Sequence, residues 1–154
     1  NRRHPAGGVL PAGCLLFYGA YAADFDTPSY RDFAEGFGLT TAAMRRYWDW
    51  YLGDRDQRTD PFAAPLFASD AMLAALPPLY LLAAEVDPLA SDTHALKGRL
   101  DGLGRNDAMR VEPGVVHGFL QMTPRLAAAR IALADAAGAA SHFIEQANQK
   151  GRKS

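Results

Sequence analysis

The sequence has one cysteine, Cys14, among 154 residues, so no internal disulfide can staple it and a reducing, cytoplasmic setting is expected. No cysteine and histidine cluster has zinc-ligand spacing, and Asp24 with Asp26 is too short an acidic run for a calcium loop, so no metal is expected. Charge of one sign is lacking as well. The 16 basic and 17 acidic residues leave a formal net charge of −1, without the basic stripe that nucleic acid or an anionic membrane surface would require. No apolar run approaches the roughly 18 residues that span a bilayer. Arg2, Arg3 and Leu10-Pro11-Ala12-Gly13-Cys14 superficially suggest a lipoprotein signal. Only five residues separate Pro5 from Pro11, however, two of them glycine, where a signal needs about 7–15 apolar residues.

What is present is the composition of one globular core, 49% hydrophobic and 21% charged. Cys14-Leu15-Leu16-Phe17-Tyr18-Gly19 is a short uninterrupted apolar run, the pattern of a strand buried on both faces in a parallel sheet. Leu79-Tyr80-Leu81-Leu82-Ala83-Ala84, entered through Pro77-Pro78, is a second, and Met109-Arg110-Val111-Glu112, ending at Pro113-Gly114, a weaker third. Helical patterns lie between and after them. Met44, Tyr47, Trp48, Tyr51 and Leu52 share one face behind Thr40 or Thr41 as N-cap, with Gly53 to close the helix. Leu96, Leu100 and Leu103 mark a helix from about residue 91 to Gly104, capped by Ser91 or Asp92. An alanine-rich helix with Ile131, Phe143 and Ile144 runs from about Pro124 to Asn148, before a frayed tail from Lys150 to Ser154. Strands alternating with helices imply right-handed crossovers and a parallel sheet, and the long segments 19–40 and 54–76 read as functional loops.

Reactive groups in such a sheet gather at the C-terminal ends of the strands. Asp87 follows the second strand in Ala84-Glu85-Val86-Asp87-Pro88-Leu89, and His117 follows the third in Pro113-Gly114-Val115-Val116-His117-Gly118-Phe119. Taken singly, the acid reads as a turn or helix cap and the histidine as a solvated loop residue. Together, an acid on one loop and a histidine on the next make a general base with its orienter. Glu85 is either a buttress to the acid or a plain surface residue. His4, His94 and His142 read as structural or solvated, Tyr47 and Trp48 as core, and Asp24 and Asp26 as a solvated loop.

These two loops, with Leu39-Thr40-Thr41-Ala42-Ala43-Met44, Tyr47, Trp48 and Tyr51, then Asp60-Pro61 and Ala64-Pro65-Leu66, resemble the hormone-sensitive lipase group of α/β-hydrolases over nearly the whole chain. The resemblance implies an α/β-hydrolase fold of which residues 1–154 form the C-terminal part, about three parallel strands with flanking helices. It implies that Asp87 is the acid and His117 the base of a Ser-Asp-His triad in a carboxylic ester hydrolase without cofactor, and that Leu89 and Phe119 line the substrate pocket. The group's Gly-x-Ser-x-Gly elbow and His-Gly-Gly-Gly loop are missing: Ser29, Ser69, Ser91, Ser141 and Ser154 all lack glycines at both −2 and +2. Residues 1–13 are then the connection after the nucleophile helix. The partners expected are a small-molecule ester and the nucleophile-bearing half, or another polypeptide covering the open sheet edge. A non-catalytic truncated domain and a serine peptidase of the same fold are the rival readings.

Overall fold

A computed structural model of the chain describes residues 11–53 and 55–151. The expectations for His4, for residues 1–10 of the connecting segment and for residues 152–154 of the tail fall outside the described residues. Three strands, β1 (Cys14–Phe17), β2 (Leu79–Val86) and β3 (Ala108–Val116), pair in parallel in the order β1-β2-β3. Five helices accompany them: α1 (Pro28–Asp32), α2 (Thr41–Tyr51), α3 (Asp70–Ala74), α4 (Ala90–Gly102) and α5 (Ala127–Gly151). Short 3-10 turns occupy Arg55–Thr59, Pro65–Phe67 and Phe119–Met122. All three strands end at one edge of the sheet.

The period-2 alternation of β2 builds two cores. Tyr80, Leu82 and Ala84 pack against Ala129, Ala132 and Ala136 of α5, with Leu15 and Phe17 of β1 beside them. Leu79 and Leu81 face Leu96 and Leu100 of α4 and Leu73 of α3, with Cys14, Leu16 and Met109 at the margin. Each such leucine, fully buried, contributes about 1.5–3 kcal/mol. On α5 Ala129, Ala132 and Ala136 turn inward while Ile131 and Ile144 are exposed, since a side chain ending at Cβ lets the helix lie close on the sheet. A third core, Phe25, Tyr30, Met44, Trp48, Leu52, Ala64 and Leu89, joins α1 and α2 to the start of α4. The segments expected as long loops are thus largely folded around a centre of their own.

Several boundaries differ from the pattern-based expectation, each for a local reason. All four residues of β1 are half-buried rather than buried, because β1 has β2 as its single neighbour among the described residues. Thr40 caps α2 by accepting from the Ala43 amide at 3.1 Å. That helix closes not at Gly53 but at an extended Leu52, whose side chain drops into the third core. α4 begins at Ala90 with no side-chain cap, because Ser91 and Asp92 are engaged elsewhere. Ser29 and Ser91 clasp each other: each hydroxyl accepts the other's amide, at 3.2 and 3.0 Å, and the Ser29 hydroxyl donates to the Pro88 carbonyl at 2.6 Å. β3 does not stop at Pro113-Gly114 but runs through it as a bulge between the pairs Ala84 with Glu112 and Val86 with Val116. Gly114 takes φ +66°, which glycine adopts freely, and its amide donates to the Glu85 carboxylate at 2.7 Å. Pro113 is tolerated because β3 pairs on one side alone among the described residues.

Asp92 holds the turn that follows β1. Its buried carboxylate accepts the Tyr21 amide at 2.7 Å and the Ala22 amide at 3.0 Å. Burial, opposed by those two amides and assisted by the charges of Asp24 and Asp87, raises its pKa from 3.8 to about 6. A carboxyl whose folded pKa lies above its unfolded value keeps its proton longer in the native state, so stability falls as pH rises from about 4 through about 6. Asp92→Asn keeps the acceptor and removes the titration. Urea unfolding at pH 4 and pH 7 should show the difference in stability, variant minus wild type, rising by on the order of 2–3 kcal/mol between the two. Parallel pH profiles for the two proteins would remove this role.

Candidate active site

Since Val86 pairs with Val116, the next residue on each strand emerges beside the other, and these residues are Asp87 and His117. Asp87 Oδ2 lies 2.8 Å from His117 Nδ1, the approach expected of an acid and base in one triad. The other carboxylate oxygen, Oδ1, accepts the Leu89 amide at 2.9 Å, a local turn that Pro88 favours by keeping Asp87 out of the helical region. Asp87 is wholly buried. A buried carboxylate is costly unless its lone pairs are satisfied, and here each oxygen has a donor.

His117 is 28% exposed, and its Nε2 has no hydrogen-bond partner among the described residues. With Nδ1 held by the carboxylate, Nε2 is the nitrogen left to exchange a proton with an outside group. Gly118 follows with φ +76°, a left-handed turn that sends the chain into the 3-10 turn at Phe119 and leaves the imidazole at the strand end. Tyr18, next after β1, meets the imidazole edge-to-face with ring centroids 4.7 Å apart. Burial, then the negative charge of Asp87, pushes the Tyr18 hydroxyl pKa up, so the phenol stays neutral.

The remaining candidates are placed as follows. Leu89 is buried in the third core and Phe119 in the core against α5, where Tyr18 leans on it at 6.0 Å. Glu85 accepts the Gly114 amide and so ties the acid's strand to the histidine's bulge. His94 is exposed on α4, and His142, exposed on α5, bonds Gln146. Trp48 is buried whereas Tyr47 is half open to solvent. Asp24 and Asp26 form an exposed turn, closed by the Asp26 amide on Asp24 at 3.0 Å. Among the described residues no group of three or more His, Cys, Asp or Glu could hold a metal ion, and no helix is long and apolar enough to cross a membrane.

Two hollows occur. One of about 920 Å³ lies between the starts of β2 and β3 and helix α5, at the end of the sheet opposite Asp87 and His117. A smaller one of about 300 Å³ is lined by Ala20, Met44, Tyr47, Trp48, Tyr51 and Ala63, close in the chain to Tyr18 and next to the core that contains Leu89. Sequence reasoning missed Tyr18, Asp92 and the Ser29–Ser91 clasp. Their partners lie 59 to 101 residues away, so no local spacing reveals them.

Similarity to known proteins agrees with this architecture. The family described as alpha/beta hydrolase fold matches residues 1–121. The acetyl esterase of Salmonella paratyphi B is 33% identical over 124 residues, 80% of this chain and 38% of that protein. The hormone-sensitive lipase of Bos taurus is 37% identical over 90 residues, 58% of this chain and 12% of that one. The chain therefore spans well under half the length of these relatives. Among solved structures, the Ser161Ala mutant of LAE6, an alpha/beta hydrolase enzyme from the metagenome of Lake Arreo, superimposes with a TM-score of 0.80 at 34% identity, covering 90% of this chain and 43% of that one. A thermostable esterase from Pseudomonas putida ECU1011 does so at 0.78 and 32% identity, covering 82% and 40%. Matched by sequence over most of its length and by fold over nine-tenths of it, the chain belongs to the α/β-hydrolase family, in its hormone-sensitive lipase group.

Proposed function

We propose that this chain supplies the acid and the base of a serine carboxylesterase, and that the nucleophile comes from the part of the fold outside residues 1–154. The observation that carries this reading is the 2.8 Å contact of Asp87 Oδ2 with His117 Nδ1 at the ends of adjacent parallel strands, with Nε2 left unpartnered among the described residues. In the reaction a serine Oγ attacks the ester carbonyl carbon as His117 Nε2 takes its proton. The alkoxide leaves as the alcohol on receiving that proton, and the resulting acyl-enzyme is cleaved by a water that His117 deprotonates in turn. Asp87 holds the imidazole with Nδ1 protonated and stabilises the imidazolium formed in each half-reaction. Backbone amides outside this chain would stabilise the oxyanion. The chemistry requires no metal or organic cofactor.

The substrate is a small-molecule carboxylic ester, the class named for the acetyl esterase and esterase relatives. Leu89 and Phe119, the residues taken as lining the substrate pocket, lie buried in the third core and in the core against α5. The long edge of β1, which among the described residues pairs with β2 alone, and the exposed Ile131, Leu133 and Ile144 of α5 support placing more of the fold beside this chain.

In the complete enzyme, His117→Ala should abolish turnover, and Asp87→Asn should lower kcat by on the order of 10⁴ with the fold intact by circular dichroism. Near-normal kcat in either variant would assign the chemistry to other residues. Residues 1–154 alone should show no hydrolysis of p-nitrophenyl esters above background and should aggregate or bind a second polypeptide. A monomeric, cooperatively folding chain whose esterase activity depends on His117 would overturn the proposal that the nucleophile lies elsewhere.

A further inference from the structure

The acid and base leave one strained residue unaccounted for. Among the described residues Tyr18 alone, apart from glycines, has positive φ, at +37°. A bulky side chain there crowds the backbone, and such a conformation persists only where the surroundings impose it. Its consequence is visible in the alternation of β1. Cys14 and Leu16 pack on the α4 side and Leu15 and Phe17 on the α5 side, so a continued strand would send Tyr18 to the α4 side. Tyr18 packs instead with the α5-side core, against Phe119 and against the imidazole of His117.

The chain is pinned on both sides of this reversal. The Tyr18 amide donates to the Leu82 carbonyl at 2.6 Å, which fixes it to β2, the strand that leads to Asp87. Three and four residues on, the Tyr21 and Ala22 amides are held by the buried Asp92 of α4, the helix that follows Asp87. The elements that carry the acid thus also force the tyrosine ring onto the base. His117 needs such a restraint: it is partly exposed and its one hydrogen bond among the described residues, at Nδ1, leaves the ring able to swing about its side-chain torsions.

We infer that Tyr18 is a positioning residue for His117, its ring walling the imidazole into the orientation that keeps Nδ1 on Asp87 and Nε2 toward the nucleophile. This rests on the reading of His117 as the base. The phenol oxygen has no part in it; the flat ring does. Small losses of alignment between nucleophile and base are expensive, up to about 100-fold in rate for a displacement of roughly 1 Å.

The test uses the complete enzyme with Tyr18→Phe, Tyr18→Leu and Tyr18→Gly. Phenylalanine should keep kcat within about twofold. Leucine and glycine should each lower kcat roughly 10- to 100-fold at unchanged KM. Glycine relieves the backbone and leucine does not, so equal losses of kcat in two variants of unequal melting temperature point to the ring and not to stability. Proton–nitrogen NMR of the imidazole gives a readout independent of turnover: the Nδ1–H signal of His117 should persist in wild type and Tyr18→Phe and broaden or vanish in the other two. Tyr18→Leu with full kcat and an unchanged Nδ1–H signal overturns the inference, as does a Tyr18→Phe variant as slow as Tyr18→Leu. His117→Ala separates the two claims. If it retains activity, the assignment of the base fails; if it is inactive while Tyr18→Leu is fully active, only the positioning role fails.

Discussion

The site depends on how β3 is held against β2. Between the pairs Ala84 with Glu112 and Val86 with Val116, β3 gains two residues on β2, and that gain brings His117 level with Asp87. An unbulged strand would set Gly114 opposite Val86 and carry the histidine past the acid. The bulge is closed by the Glu85 carboxylate on the Gly114 amide and permitted by the positive φ of Gly114. Glu85 is therefore less a buttress of the acid than the fastener that sets the histidine's height. The alternation that turns Tyr80, Leu82 and Ala84 one way and Leu79 and Leu81 the other keeps β2 rigid enough to serve as the reference for this register.

Burial of Asp87 is the second constraint. A carboxylate removed from water is stable only when its oxygens are occupied, and the Leu89 amide and the imidazole occupy them. Asp92, five residues on, is buried too, and the charge of Asp87 is among the causes that raise its pKa. The two buried acids bond different partners: Asp87 meets the His117 imidazole, and Asp92, its pKa raised to about 6, holds the turn after β1.

The sequence made the frame of this arrangement legible and left its adjustments hidden. Short apolar runs located all three strands, and Asp-Pro after one and His-Gly after the next marked Asp87 and His117 as side chains that meet, because the ends of parallel strands converge regardless of side-chain detail. The helix around Trp48 followed from its i, i+3, i+4 spacing and the Thr40 cap. The bulge in β3 was not legible, since Pro113-Gly114 is also how a strand ends. Asp92 resembled a helix cap because capping and bonding a distant loop use the same carboxylate. Tyr18 resembled the last residue of a strand because the reversal of its side chain is imposed from β2 and α4, both far along the chain. On α5 the larger apolar residues drew attention, whereas the close approach of helix to sheet selects Ala129, Ala132 and Ala136.

The third core extends the same logic outward. Segments 19–40 and 54–76 fold around Tyr30, Met44, Trp48 and Ala64, and Leu89 belongs to that cluster while its amide holds Asp87. The Ser29–Ser91 clasp binds α1 to the first turn of α4 directly beyond Pro88, so the acid is gripped from the module above as well as from the strand below. The hollow between Ala20 and α2 lies in that module, and the buried Trp48 indole among its walls has an Nε1–H without a partner among the described residues. A buried donor left unpaired is costly, and the cost is borne where the packing of an apolar cluster outweighs it. The module is thus joined to Asp87 through Leu89, and the same two segments reach the sheet through Tyr21, Ala68 and Leu73, which pack with Leu79 and Leu81 of β2.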